Sequence, residues 1–435
     1  IRAVPGVTCG TAPPAFVGSC NMCAQMGLRP HKLNATVCPG AVRALGEGRE
    51  EDILRKAYAR EFAAEKRMAD WASEGPPPKR TKQSAIASGN RVHSGESKKK
   101  DEAFYDVDIF TRSLWYHDKI KHTLYDNAHE FTNVIKQAFN FMKDKNKKNK
   151  KWFTTTKREY ENNRMKRFQH LQPVVTWEKV QGKEKWVTRY PRADWVAPKE
   201  SIDIVDSLPE QCKVPSSWPD FRRAFEHIGH LKSAETLLFA GDVGAYILRH
   251  VDINPEIRAK FIELFRLIAR CCTRTHVHAL SVYFSYGCGN RMLFIQLCYP
   301  HITQLSATTN RTRRPDRYTK GTMQDRKTKF ITHACRCMYK ISTPEDRAHV
   351  RKRLPIVMTH LEMKLPIQWS TSVIHIFTFH AVSILEMAGP FSSSNMLDIE
   401  RFHTLFKGLA RGTRNVMASI CNHYVLQEAS QMNRA

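Results

Sequence analysis

His375 and His380 stand five residues apart on an apolar segment, and Gly389-Pro390 breaks that segment. Near the other end of the chain, Cys20 and Cys23 form a C-x2-C pair in G-S-C-N-M-C. Two thiolates and two imidazoles make a tetrahedral zinc set. Most of the chain lies between the two pairs, so a shared ion would clamp distant segments rather than fold a local finger. Beyond the break, Glu400 opens a second segment. Asp398 or Asn395 can cap a helix there, and Phe402, Leu405, Phe406 and Leu409 give it an apolar face. A carboxylate in the first turn suits the positive end of the helix dipole. It is also rigid enough to aim at a metal ion, and both readings stand. Lys407, Arg411 and Arg414 follow on successive turns, as phosphate contacts or as ordinary surface charge.

Cys20, Cys23, His375, His380 and Glu400 together resemble the CACTA (En/Spm) class of cut-and-paste DNA transposases. More remotely they resemble the V(D)J recombinase catalytic subunit, of the same wider group. Two further stretches look like the plant-type family: L-P-I-V-M-T-H-L-E-M-K-L-P (354–366) and G-H-L-K-S-A-E-T-L-L-F (229–239). The resemblance implies an RNase H-like core with an Asp-Asp-Glu metal triad and a large helical insertion ahead of the Glu. It makes Glu400 the triad carboxylate. It implies Mg2+ or Mn2+ as catalytic ions, structural Zn2+ on the Cys and His pairs, and transposon-end DNA as partner.

Two departures accompany it. F-S-S-S-N-M-L-D-I stands where the family has an aromatic, Arg/Trp-rich run before the Glu. The first two metal-binding Asp residues have no counterpart, and I-R-A-V-P-G-V aligns just after the second. The chain is therefore expected to be a C-terminal part of such a transposase, unable to cleave DNA alone, because one carboxylate cannot hold two metals.

The elements that must position these residues are set by composition. The 435 residues carry 69 Lys and Arg against 42 Asp and Glu, a net charge of +27, and are 42% hydrophobic. That suffices for buried cores, and the charge makes nucleic acid the default partner. No amphipathic anchor or lipidation motif points to a membrane, and the longest apolar stretch, Val373–Ala388, is too short to span one comfortably. It reads as a buried helix. The twelve Cys show no disulfide spacing, and no signal peptide is visible, as in a reducing compartment. P-P-P-K-R-T-K could direct the chain to the nucleus or be a plain solvated linker.

Residues 1–45 read as the core remnant with the Cys pair, with a short strand at Ala15–Gly18. Residues 46–71 read as one charged helix with sparse apolar positions at Ile53, Tyr58, Phe62 and Met68. Residues 72–102 offer almost no large apolar side chain to offset chain entropy and are expected to be a disordered basic linker. Residues 103–215 hold a long helix, a basic run and a hairpin. In 141–170, eleven basic residues face three acids, with Trp152, Phe153, Tyr160 and Phe168 interleaved. Lys147, Lys148, Lys150 and Lys151 are its densest cluster, and basic charge with aromatics suits a DNA backbone track. Alternation around Gln181-Gly182 marks the hairpin. Residues 216–305 form the helical insertion, where Asn254-Pro255 caps a helix with Ile257, Phe261, Leu264, Phe265 and Ile268 on one face. Residues 306–329 are a basic loop with Arg311, Arg313 and Arg314, and 330–435 a helical region with the His pair and the Glu. Asp118, His122 and Asp126 could be functional or surface groups. Cys9, Cys38, Cys271, His276, His278, His333, Cys335 and Cys337 read better as packing or solvent groups than as ligands.

The expected fold is predominantly α with small β elements, a partial RNase H-like core interrupted by a helical insertion. The expected function is DNA binding with metal-dependent cleavage and strand transfer in the intact transposase, in the nucleus, with self-association possible. A non-catalytic transposase-derived DNA-binding protein and an unrelated nucleic-acid-binding helical scaffold are the alternatives.

Overall fold

The computed structural model describes residues 20, 22–25, 27–28, 36–63, 65–98, 120, 127–143, 168, 171, 174–181, 183–189, 191–211, 225–231, 233–272 and 343–388. These are mostly helical, with one two-stranded antiparallel sheet. In chain order they give α1 (Arg49–Glu61), α2 (Lys66–Asp70), α3 (Lys82–His93), α4 (Asn127–Met142), β1 (Val174–Val180), β2 (Lys183–Arg189) and α5 (Lys199–Gln211). Then follow α6 (Ser233–Leu238), running into a π-helical turn at Phe239–Gly244, and α7 (Pro255–Cys272), α8 (Pro344–Lys364) and α9 (Ser372–Ala388).

α8 is the wall between two cores. Thr343 and Asp346 form a reciprocal capping box and Pro344 occupies the first turn, both favourable starts. Its first half is charged. From Leu354 to Glu362 nearly every side chain is buried, because neighbours cover both sides. Val357, Met358 and Leu361 face a large core built with α4, α7 and α9, while Ile356 faces a smaller one with Leu54, Tyr58, Phe62, Met68 and Trp71. Pro355 sits inside the helix, where it removes one amide donor. The stretch 354–366 is thus the second half of one helix plus its exit at Leu365-Pro366.

Trp369 is fully buried in the larger core, edge-to-face with Phe141 and Phe261 at centroid distances of 5.6 and 5.7 Å. Phe239, from the 229–239 stretch, is also fully buried there and packs on Phe139. The five apolar positions expected on α7 are all buried, and Asn254 Oδ1 accepts from the Glu256 amide at 2.9 Å, as a helix cap should. Arg353 joins α8 to α1 and α7 through Glu50 (2.9 Å) and Glu263 (2.7 Å). Burial would raise Glu263, but the bonds from Arg353 and the charge of Lys260 outweigh it and hold the carboxyl low.

A buried carboxylate ties the smaller core together. Glu362 on α8 accepts from the amides of Gly40 (2.7 Å) and Ala41 (3.2 Å) and from the Tyr58 hydroxyl. Gly40 has φ 108° and a Cβ there would approach Trp71 at 3.1 Å, so glycine is needed for this turn.

Two sequence expectations need correction. Residues 72–102 are not a disordered linker throughout: α3 lies within them, started by a Thr81–Ser84 capping box. Its buried face is Ala85, Ser88 and Gly89, residues too small to register as core in a composition count. The charged helix of 46–71 is two helices, α1 and α2. Ile53 is 59% exposed, and Leu54 takes the inward position instead. The hairpin does form, with Val174 opposite Arg189 through Val180 opposite Lys183, and Gln181 takes the left-handed φ of 54° that a tight turn demands. The strand expected at Ala15–Gly18 lies outside the described residues. Among the described residues, no helix is long and apolar enough to cross a membrane.

Candidate metal centre

Cys20 and Cys23 meet His375 and His380 in the interior. The Cys23 sulfur lies 3.3 Å from His375 Nε2, the Cys20 sulfur 3.4 Å from His380 Nε2, and the two sulfurs 3.5 Å apart. All four donor atoms fall within 4.8 Å of one another. A tetrahedral zinc ion, with bonds of about 2.3 Å to sulfur and about 2.0 Å to nitrogen, has ligand–ligand edges of about 3.3–3.8 Å. The three short contacts match those edges, so the group can hold a metal ion such as zinc.

Both histidines come from α9. Five residues turn a helix by about 140° and advance it by about 7.5 Å, so the two imidazoles leave different sides and lean toward one point. Their ring centres are 5.3 Å apart and steeply inclined. Phe377, between them in sequence, points the other way and packs edge-on against Phe131 of α4, which anchors the helix to the larger core. Ile384, one turn beyond His380, closes the site from below with Met22. His375 Nδ1 is buried without a hydrogen-bond partner among the described residues. The ring's polar contact is therefore on the Cys23 side.

The Cys knuckle is held by residues 78–80. The Ala24 amide donates to the Pro78 carbonyl at 2.9 Å and the Arg80 amide to the Met22 carbonyl at 2.8 Å. Arg80 Nε donates to the carbonyls of both ligand residues, Cys20 at 3.1 Å and Cys23 at 2.9 Å. P-P-P-K-R is thus neither a free linker nor a wholly exposed basic run, since Pro77 is buried and Arg80 is engaged.

The thiols differ. Burial opposes ionisation of Cys20, but the hydrogen bond from Cys23 and the adjacent imidazoles outweigh it and hold Cys20 well below the ordinary range. Cys23 is pushed far up, first by its hydrogen bond to Cys20 and then by burial. A divalent ion supplies the charge that lets both sulfurs ionise. Cys38 and Cys271 are buried and unbridged. Cys271 is pushed up to about 12, chiefly by burial, as in a packing thiol.

Sequence reasoning placed the four ligands and missed Arg80, whose signal was hidden in P-P-P-K-R-T-K, a stretch read for its charge. Substituting Arg80 by Ala is expected to weaken zinc retention roughly 10–100-fold, as loss of a group supporting metal ligands does. Competition with a chromophoric chelator would measure it, and Arg80→Lys should fall between, keeping charge without the planar guanidinium.

The structure does not reach the other candidates. Glu400, Lys407, Arg411, Arg414, Lys147, Lys148, Lys150, Lys151, Arg311, Arg313 and Arg314 lie outside the described residues. So do Asp118, His122, Asp126, Cys9, His276, His278, His333, Cys335 and Cys337. Comparison of the chain with family models, with curated proteins and with solved structures found no match.

Proposed function

We propose that the chain serves a DDE-type, CACTA-like DNA transposase as a DNA-binding part clamped by structural Zn2+ and carrying Glu400. One observation carries this reading: Cys20 and Cys23 converge with His375 and His380 across most of the chain. Accidental pairs of ligand type, scattered at that separation, would have no reason to share one buried point. The clamp also gives Glu400 a role, because it holds Cys20 and Cys23 against α9, the helix that precedes Glu400 in sequence. On this reading residues 1–45 are a remnant of an RNase H-like core, and Glu400 contributes one carboxylate of its metal triad. Mg2+ or Mn2+ there would activate water and then a DNA 3′-hydroxyl for cleavage and strand transfer. Lys407, Arg411 and Arg414 would meet phosphates beside it. On this reading strand transfer needs two further carboxylates beside Glu400.

The net charge of +27 supports a polyanionic partner, and work in the nucleus follows from the same reading. The chain should bind duplex DNA with an affinity that falls steeply with salt. Replacing Lys147, Lys148, Lys150 and Lys151 by Gln should lower the log–log salt slope by up to about 3–4, at roughly 0.9 per phosphate contact. Salt-independent binding, or none at low salt, would refute the assignment. In a preparation active in strand transfer with Mn2+, Glu400→Gln should abolish that activity and leave DNA binding unchanged.

A further inference from the structure

We propose that the β1–β2 hairpin is a stacking platform for unpaired bases of single-stranded DNA. The inference rests on the DNA-binding reading above and names the form of DNA this element takes. Trp177 and Trp186 sit directly opposite each other in the register. Their rings meet at a centroid distance of 5.0 Å and an angle of 65°. The Trp177 indole N–H donates to Glu184 at 3.3 Å, which fixes its ring. Yet Trp177 is 52% exposed and Trp186 67%. Val175, two residues before Trp177 on the same face, is 54% exposed.

A cross-strand aromatic pair stabilises an isolated hairpin, and that is one use of these rings. It does not require two indoles to keep more than half their surface in water. Among the described elements the two strands pack chiefly on each other. Contiguous exposed aromatic surface of this kind marks a binding face. Charge then selects the occupant. By register only Lys179 shares the indole face, opposite Glu184, while Lys183, Lys185 and Arg189 occupy the other face with Glu178. The positive field is that of the whole hairpin, four basic residues against two acidic, and of a chain with net charge +27. The hairpin's ligand should be a polyanion that also offers flat apolar faces. A double helix hides its base faces inside the stack, whereas a single strand presents them. Rings that are pre-fixed lose little entropy when a base stacks on them.

The test titrates the whole chain with a 16-nucleotide oligothymidine and, separately, with a duplex of the same length, by fluorescence anisotropy. Trp177→Ala combined with Trp186→Ala should weaken oligothymidine binding about 30-fold or more, since each stacked base contributes about 1–3 kcal/mol. Duplex affinity should stay within about twofold. Trp177→Phe with Trp186→Phe should retain oligothymidine affinity within about threefold, because a smaller ring still stacks. Unchanged oligothymidine affinity in the Ala variant would overturn the proposal. So would equal losses on both nucleic acids, or an altered oligomeric state with oligothymidine binding intact, which would make the face a contact between copies. No binding of either nucleic acid by the unsubstituted chain would instead overturn the DNA-binding reading on which this one rests.

Discussion

The chain purified under reducing conditions is expected to carry one zinc ion, and Cys23→Ser or His380→Ala to release it. The expected effect is large. Structural zinc contributes an apparent 10–16 kcal/mol or so near neutral pH. A whole domain is stable by only about 5–15 kcal/mol. The segment around Cys20–Leu28 has few apolar contacts of its own: its small cluster is Cys20, Met22 and Cys23 against Ile384 and Ile376. Chelation should therefore free this segment and expose the buried face of α9 before the larger core melts. Limited proteolysis should cut near residues 20–28 in the metal-free protein and spare α7 and α8. Zinc affinity should rise with pH, because Cys23, pushed up by Cys20 and by burial, must give up its proton on binding. A metal-free chain with the same melting temperature and protease pattern would mean that the four side chains only pack.

How much of this was legible depended on how each residue signals. The ligand pairs were legible because Cys and His at short spacing are chemically specific, whatever the fold. The helices at Pro255–Cys272 and Ser372–Ala388 were legible because caps and apolar periodicity are local. The hairpin was legible from alternation, but its exposure was not, since a tryptophan reads as core by composition. α3 was hidden because its inward face is Ala85, Ser88 and Gly89, where the gain comes from close approach rather than from large side chains. Arg80 and Glu362 were hidden for a different reason. Each bonds to backbone groups far away in sequence, at Cys20 and Cys23 or at Gly40 and Ala41, and no periodicity announces such a partner. A buried charge reveals itself only once the donors around it are seen.

Glu362 gives the second large expected effect. Its carboxylate is 4% exposed, and its partners Gly40, Ala41 and Tyr58 are buried with it. Glu362→Ala would take the shared acceptor from two backbone amides and a hydroxyl in the interior. Losses of this kind cost about 3–5 kcal/mol. Glu362→Gln is expected to cost less, about 1–2 kcal/mol. Its one oxygen can keep Gly40 and Tyr58, which share Oε1, while its NH2 meets the Ala41 amide donor head-on and can turn to Ser370. Urea unfolding of the zinc-loaded protein would measure both, and an Ala variant within about 1 kcal/mol of the parent would show that the carboxylate is merely tolerated. Tyr58→Phe made in both backgrounds separates the hydroxyl's share. In the Ala background its cost should nearly vanish, since the acceptor is already gone. The zinc clamp and Glu362 hold successive parts of one segment, Cys20–Leu28 and Val37–Leu45, against the same helix pair α8 and α9. If both ties restrain that segment, Glu362→Ala should raise protease cutting near residues 36–45 only modestly with zinc bound and far more without it. Equal sensitivity in the two states would mean the ties act independently.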